Sequence, residues 1–294
     1  MPGARLLKPL PNALSWAVAL VTFEMPVLRT TASRLAEMAA HEEGVAASEV
    51  AEVVMGDPLM TAKLFARVSE GSGRGRTSTV GSVTTAVVML GIPPFFRAFG
   101  KLNHLGEHLK DDHEAQKGLL KVVRRAVRAA TYARDWAVLR KDLEAETIMM
   151  AALLHDLAEM LVWCAAPQMA LEIRNLMRAT PGLRSATAQH AVLGVTIDEI
   201  QVALMKRLHL PELLVAMNDP TQASSPAVRT VALAIRLARH SAETWDDPAL
   251  PDDYLDIAAL LRVSPQRVME MVIPATHHHH VHTIPPGTVL HAPA

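Results

Sequence analysis

The chain has 294 residues, enough for one large or two modest domains, and half of them are hydrophobic, so a sizeable core is available. Aromatics make up only 4%, and the apolar mass is Ala, Leu, Val and Met, a composition that favours packed helices over sandwiches or barrels. Lys plus Arg (29) nearly cancel Asp plus Glu (30), so no global field draws in nucleic acid or membrane, and any such binding needs a local patch.

Residues 1 to 9 read as loose, and Asn12 to Phe23 as a short helix stopped near Pro26. Arg5 and Lys8 ahead of that apolar segment faintly resemble a signal peptide, but Glu24 and Pro26 follow without a small-residue cleavage site. Leu28 to His41 is amphipathic, with Leu28, Leu35 and Met38 at helical spacing, and Gly44 breaks it. Ser48 is the expected cap of a helix running to Met55, with Glu49 in its first turn. Asp57-Pro58 is a sharp helix start, an N-cap acid with proline in the first helical position. That helix carries Leu59, Leu64, Phe65 and Val68 and ends near Gly71, where a loop bearing Arg74 and Arg76 begins. Ser82 opens the next apolar helix, Gly91 closes it, and Pro93-Pro94 begin another.

His113 to Arg140 reads as one long helix with two faces. Lys117, Lys121, Arg124 and Arg128 form a basic stripe at i, i+4, i+7 and i+11, and Leu120, Val123 and Val127 supply the apolar side. Asp142 is the expected cap of the central helix, which covers Thr147 to Trp163. Nearly every position there is apolar, yet His155 and Asp156 stand side by side in the middle. Two ionisable groups in a core helix are costly without hydrogen bonds, partner charges or a metal. Cys164, the single cysteine, excludes intrachain disulfides and points to a reducing compartment, the cytoplasm. Helices follow from Pro167, from Thr196 to Leu208, and from Pro211; Asn218 to Pro226 is dense in turn formers and marks a boundary. Beyond it, Ala227–Ala242, Asp252–Arg262 and a segment capped by Ser264-Pro265 read as helices, and the Pro/His-rich tail from 274, with His277–His280, His282 and His291, reads as disordered. No strand pattern appears, no uninterrupted apolar run reaches the roughly 18 to 20 residues of a bilayer span, and the fold class is all-α.

Met25-Pro26-Val27-Leu28, Asp57 to Leu64, Val80 to Ile92, and Ala151 to Glu159 with His155-Asp156 at its centre resemble, in order and spacing, the HDOD domain of bacterial signalling proteins. The resemblance runs from about 26 to 218 and implies a compact bundle of two helical lobes. It leaves 1–25 as an N-terminal segment, 219–273 as a short helical extension and 274–294 as a tail. HDOD domains are related to HD-type metal phosphohydrolases, which hold one or two divalent ions with an upstream His, the His-Asp pair and further His or Asp ligands. Here the upstream position falls at Arg124 or Arg125, the downstream one at Ile197 with Gln201 in place of a glycine, and the late His-His pair at Asn218-Asp219. The family's Gly-Lys after the pair reads Ala158-Glu159, and its Asn-Ser after the Asp-Pro helix reads Ser69-Glu70.

The resemblance thus implies a degenerate HD site with no catalytic residue, no metal ligand set and no cofactor. His155 and Asp156 are either a vestigial structural pair, with Asp156 facing Arg124 or Arg125, or a surviving weak metal or ligand site. The function expected is a non-catalytic output or scaffold module that binds another signalling protein through a groove between its lobes, with input arriving through a separate partner and no membrane contact. Two alternatives are a metal-dependent phosphohydrolase acting on a nucleotide or cyclic dinucleotide, and a nucleic-acid-binding regulator. The candidate anion- or partner-binding residues are Arg74, Arg76, Lys117, Lys121, Arg124, Arg125 and Arg128. Against nucleic acid, only Tyr132 and Trp136 lie near enough to stack on bases.

Overall fold

The structure, a computed structural model of the chain, describes residues 5–71, 82–208, 210, 212–216 and 220–274. The Arg74/Arg76 loop, Asn218-Asp219 and the histidine-rich tail lie outside the described residues. The chain is all-α. In order it runs α1 (Ala13–Thr22), α2 (Arg29–Ala39), α3 (Ala47–Met55), α4 (Pro58–Gly71), α5 (Val83–Leu90), α6 (Ile92–Phe99), α7 (Leu105–His108), α8 (His113–Leu139), α9 (Ala145–Leu154), α10 (Leu157–Ala165), α11 (Pro167–Ala179), α12 (Ser185–Leu193), α13 (Ile197–Leu208), α14 (Glu212–Ala216), α15 (Pro226–His240), α16 (Leu250–Leu261) and α17 (Pro265–Val272). Extended pairing among the described residues is limited to an isolated parallel bridge between Val27 and His104.

Helix starts follow side-chain chemistry. The Asn12 carboxamide accepts from the Ser15 N–H (2.9 Å), Ser82 Oγ from Thr85 N–H (3.0 Å), and Ser264 Oγ from Arg267 N–H (3.2 Å), each satisfying a donor that the first turn leaves orphaned. Gly91, at φ +82°, ends α5 in a conformation that costs other residues strain. Two expected caps move. Glu49, not Ser48, closes the start of α3, its carboxylate accepting from the Ala46 N–H at 2.8 Å. Asp142 lies before α9 rather than at its N-cap position, which Glu144 occupies.

Helices α2 to α6 pack on one another as an N-terminal lobe. In the second lobe α8 packs against α9, α10, α11 and α15, and α1 lies against α13. There the Trp16 indole N–H, fully buried, donates to the Leu193 carbonyl at 3.2 Å. The buried face of α8 is built from Leu119, Val122 and Val123 and then a run of alanines at 126, 129, 130, 133 and 137, small residues that let α9 and α15 approach closely. Of the expected apolar side, Val123 is buried, and Leu120 and Val127 are partly buried and packed against the core. The stretch Ala145–Ala165 is long and apolar enough to cross a membrane, but 89% of its most apolar window is buried inside the protein.

Gly118 shows how tight this packing is. A Cβ built there would come within 2.5 Å of the Trp163 ring, whose outer face carries the Arg174 guanidinium at 5.8 Å from the ring centroid. Gly118→Ala removes a helix-weakening glycine, worth about 1 kcal/mol, but must displace an indole that is 94% buried. We expect overpacking to win and the variant to lose about 1–3 kcal/mol in a denaturant titration.

Candidate functional site

The expected single central helix is two helices. α9 stops at Leu154, α10 starts at Leu157, and His155 and Asp156 occupy the joint, with Asp156 at φ −95°, ψ 22°. The break has a visible cause. Gln201, on α13 and buried, inserts its side-chain amide into the gap. Its Oε1 accepts from Ala158 N–H at 2.7 Å and its Nε2 donates to the Leu154 carbonyl at 2.9 Å. Those two groups would bond to each other in an unbroken helix, so the side chain substitutes for one rung of the ladder.

Asp156 is 7% exposed and all of its acceptor capacity is engaged. Its Oδ2 accepts from Arg125 Nε (3.0 Å) and Nη2 (2.7 Å). Its Oδ1 accepts from Arg239 Nη2 (2.8 Å) and lies 2.8 Å from His155 Nδ1. A carboxylate can only accept, so Nδ1 of that imidazole carries a proton and donates it to this bond. Arg125 Nη2 also donates to Glu159 Oε2 at 2.7 Å. Burial alone would push the Asp156 carboxyl up; the His155 hydrogen bond and the charges of Arg125, His155 and Arg239 more than reverse it, holding the group well below the usual carboxylate range. The Arg125 guanidinium, which burial would depress, is raised by Glu159 and Asp156.

The sign of the pH effect follows. Asp156 titrates lower in the folded chain than the 3.8 of a free aspartate, so its stabilisation is complete above the free value and is lost as the pH falls towards the folded one. Thermal melts should therefore drop below about pH 4, and Asp156→Asn should flatten that part of the profile.

A divalent ion does not fit this constellation. Among the described residues no three His, Cys, Asp or Glu side chains cluster as ligands. The one carboxylate of the pair already carries two guanidinium groups, and a cation entering between them would meet like charge on both sides. Arg125 is the upstream residue that meets the pair; Arg124, its neighbour, turns elsewhere. Arg239 reaches the site from the C-terminal extension, 83 residues on, and sequence reasoning missed it.

The basic stripe does not present one free cationic face. Lys117 bonds Glu114 (2.9 Å), Lys121 bonds Glu243 (2.7 Å), and Arg128 Nη2 donates to the Ala238 carbonyl (3.0 Å). Arg124 makes no ion pair or hydrogen bond among the described residues and lines a cleft of about 800 Å³ between α8 and the starts of α2 and α7. Leu28, Leu105, Leu120, Val123 and Val127 form its apolar floor, and Arg29, Arg124, Arg128 and Tyr132 stand around it.

Comparison with known proteins agrees with this architecture. Residues 25–222 match the model of the HDOD domain. The fold is similar to that of the MmoQ response regulator from Methylococcus capsulatus, at 17% identity and a TM-score of 0.65 over 86% of this chain and 100% of that one. It is also similar to a virulence factor from Campylobacter jejuni, at 18% identity and a TM-score of 0.65 over 90% and 93% of the two chains. No curated protein matches the sequence. Two solved relatives at such low identity establish a shared fold, and the family match spans most of the chain with His155-Asp156 and the Asp57-Pro58 helix start inside it: this protein belongs to the HDOD domain family.

Proposed function

We propose that this chain is a non-enzymatic output or scaffold module of bacterial signal transduction, working by contact with another signalling protein. The observation that carries the reading is the pair of guanidinium groups on Asp156: Arg125 and Arg239 engage both carboxylate oxygens, and a metal-activated water has no seat between them. What remains of the HD site is a polar joint at the α9–α10 break that ties in α8 and α15 through Arg125 and Arg239. The phosphohydrolase alternative needs ligands that these residues do not supply, and the nucleic-acid alternative needs a cationic face that Glu114, Glu243 and Ala238 largely neutralise or occupy.

The test has two parts. With the histidine-rich tail removed, Mn²⁺ or Mg²⁺ should shift the melting temperature by less than about 1 °C, and bis-p-nitrophenyl phosphate and cyclic dinucleotides should show no metal-dependent turnover. A protein captured from source cells should rebind the full chain when both are purified. Metal-dependent turnover with a matching rise in stability would instead support the phosphohydrolase.

A further inference from the structure

The cleft between α8 and the α2/α7 edge lies between the two lobes, where a partner-binding groove is expected, and its lining is specific. It is an open cleft of about 800 Å³, within the range of small-molecule sites, roughly 300–1,000 Å³. Its lining contains three arginines and no Asp or Glu.

Those cations sit where local rules disfavour them. Arg29 is the first residue of α2, at the positive end of the helix dipole, and no acid stands in that first turn. Arg124 and Arg128 are like charges four residues apart on one helix. Neither Arg29 nor Arg124 makes an ion pair or hydrogen bond among the described residues, whereas Arg125 next door holds two carboxylates. Arg128 has a buried Nε with no hydrogen-bond partner, the kind of donor that a buried site does not leave unmatched without cost. Arg29 extends over the bare backbone of Gly106, where a Cβ would stand 3.1 Å from its Nη2. At the far end Tyr132, stacked on Trp136 at 5.7 Å and 7°, presents a flat wall.

We propose that this cleft binds a small organic anion, with an apolar body on the floor between Leu28, Leu120 and Val127 and a phosphate or carboxylate held by Arg29, Arg124 and Arg128. A nucleotide and a medium-chain fatty acid both have this chemistry. The inference stands apart from the partner-binding reading, since a ligand site and a protein-contact surface can coexist or fail separately.

The experiment titrates the full chain by fluorescence with mant-labelled GMP and with dansyl-labelled undecanoate, against neutral mant-guanosine and dansylamide. At least one anion should bind saturably at one site, its neutral counterpart should not, and the arm that binds identifies the source. Arg29→Gln and Arg124→Gln, both exposed, without an ion pair among the described residues and so expected to melt like the parent, should each weaken it about ten-fold or more. Arg267→Gln, exposed on α17 and outside the cleft lining, should leave it unchanged. Absence of saturable binding in both arms, equal binding of the neutral probes, or indifference to both cleft substitutions overturns the inference. In those cases a captured partner protein would still stand, so the two readings fail separately.

Discussion

Replacing Asp156 with alanine should be among the most damaging single changes in the protein, at about 3–5 kcal/mol. The loss is not that of one contact. Removing the carboxylate leaves the partly buried Arg125 guanidinium with only Glu159, strips Arg239 of its partner, and leaves the His155 Nδ1–H without an acceptor. At roughly 2–4 °C per kcal/mol for a chain approaching this size, the melting temperature should fall by about 10 °C. Asp156→Asn should fall in between, since one side-chain oxygen still accepts while the new NH₂ group faces guanidinium donors. Arg239→Ala should cost less than about 1 kcal/mol, because that side chain is 48% exposed and solvent takes over much of its role. Denaturant titrations of the three variants check this order. An Asp156→Ala protein within about 1 kcal/mol of the parent would show that the joint is not the structural post described above.

The second large effect is expected at Asp57. This carboxylate, fully buried, accepts from Leu59 N–H (2.9 Å) and Met60 N–H (3.2 Å) on Oδ1, capping α4, and from Leu28 N–H (2.7 Å) on Oδ2, tying in the start of α2. Asp57→Ala loses a helix cap, about 1 kcal/mol, and leaves the Leu28 N–H without its acceptor, about 1–3 kcal/mol more. A total near 3 kcal/mol is expected by chemical denaturation. Burial pushes this carboxyl up despite its hydrogen bonds, so its contribution to stability is greatest in acid and declines as the pH rises through its folded value, opposite in sign to Asp156. Asp57→Asn, which keeps one acceptor and removes the buried charge, should therefore be milder than alanine, and its deficit should narrow as the pH rises. Equal losses for the two variants at neutral pH would argue against this account.

Local chemistry made much of this fold readable in advance. Asn12, Asp57, Ser82 and Ser264 each mark a helix start by a bond within their own first turn, and such a bond is encoded within four residues. The features that escaped are those decided at a distance. The α9–α10 break has no proline or glycine to announce it, because Gln201 makes it from 43 residues away. Arg239 looks like any solvated basic residue near the end of an amphipathic helix, and only the fold brings it to Asp156. α12, SATAQHAVL, went unrecognised because it has neither an apolar stripe nor a capping side chain. The basic stripe on α8 is real as a periodicity, but Glu243 and the Ala238 carbonyl, which engage Lys121 and Arg128, come from the chain more than a hundred residues later.

One consequence concerns what counts as the folding unit. Successive residues of α15, Ala238 and Arg239, are gripped by two different arms of the same neighbourhood, the first by Arg128 and the second by Asp156, while Arg140 clasps the opposite end of that helix at Pro226 and Thr230. The recognisable family segment stops at residue 222, before any of these clasps. In this protein the domain drawn by sequence kinship is smaller than the body that physics holds together, and an excised kinship domain would bare the alanine-lined flank of α8.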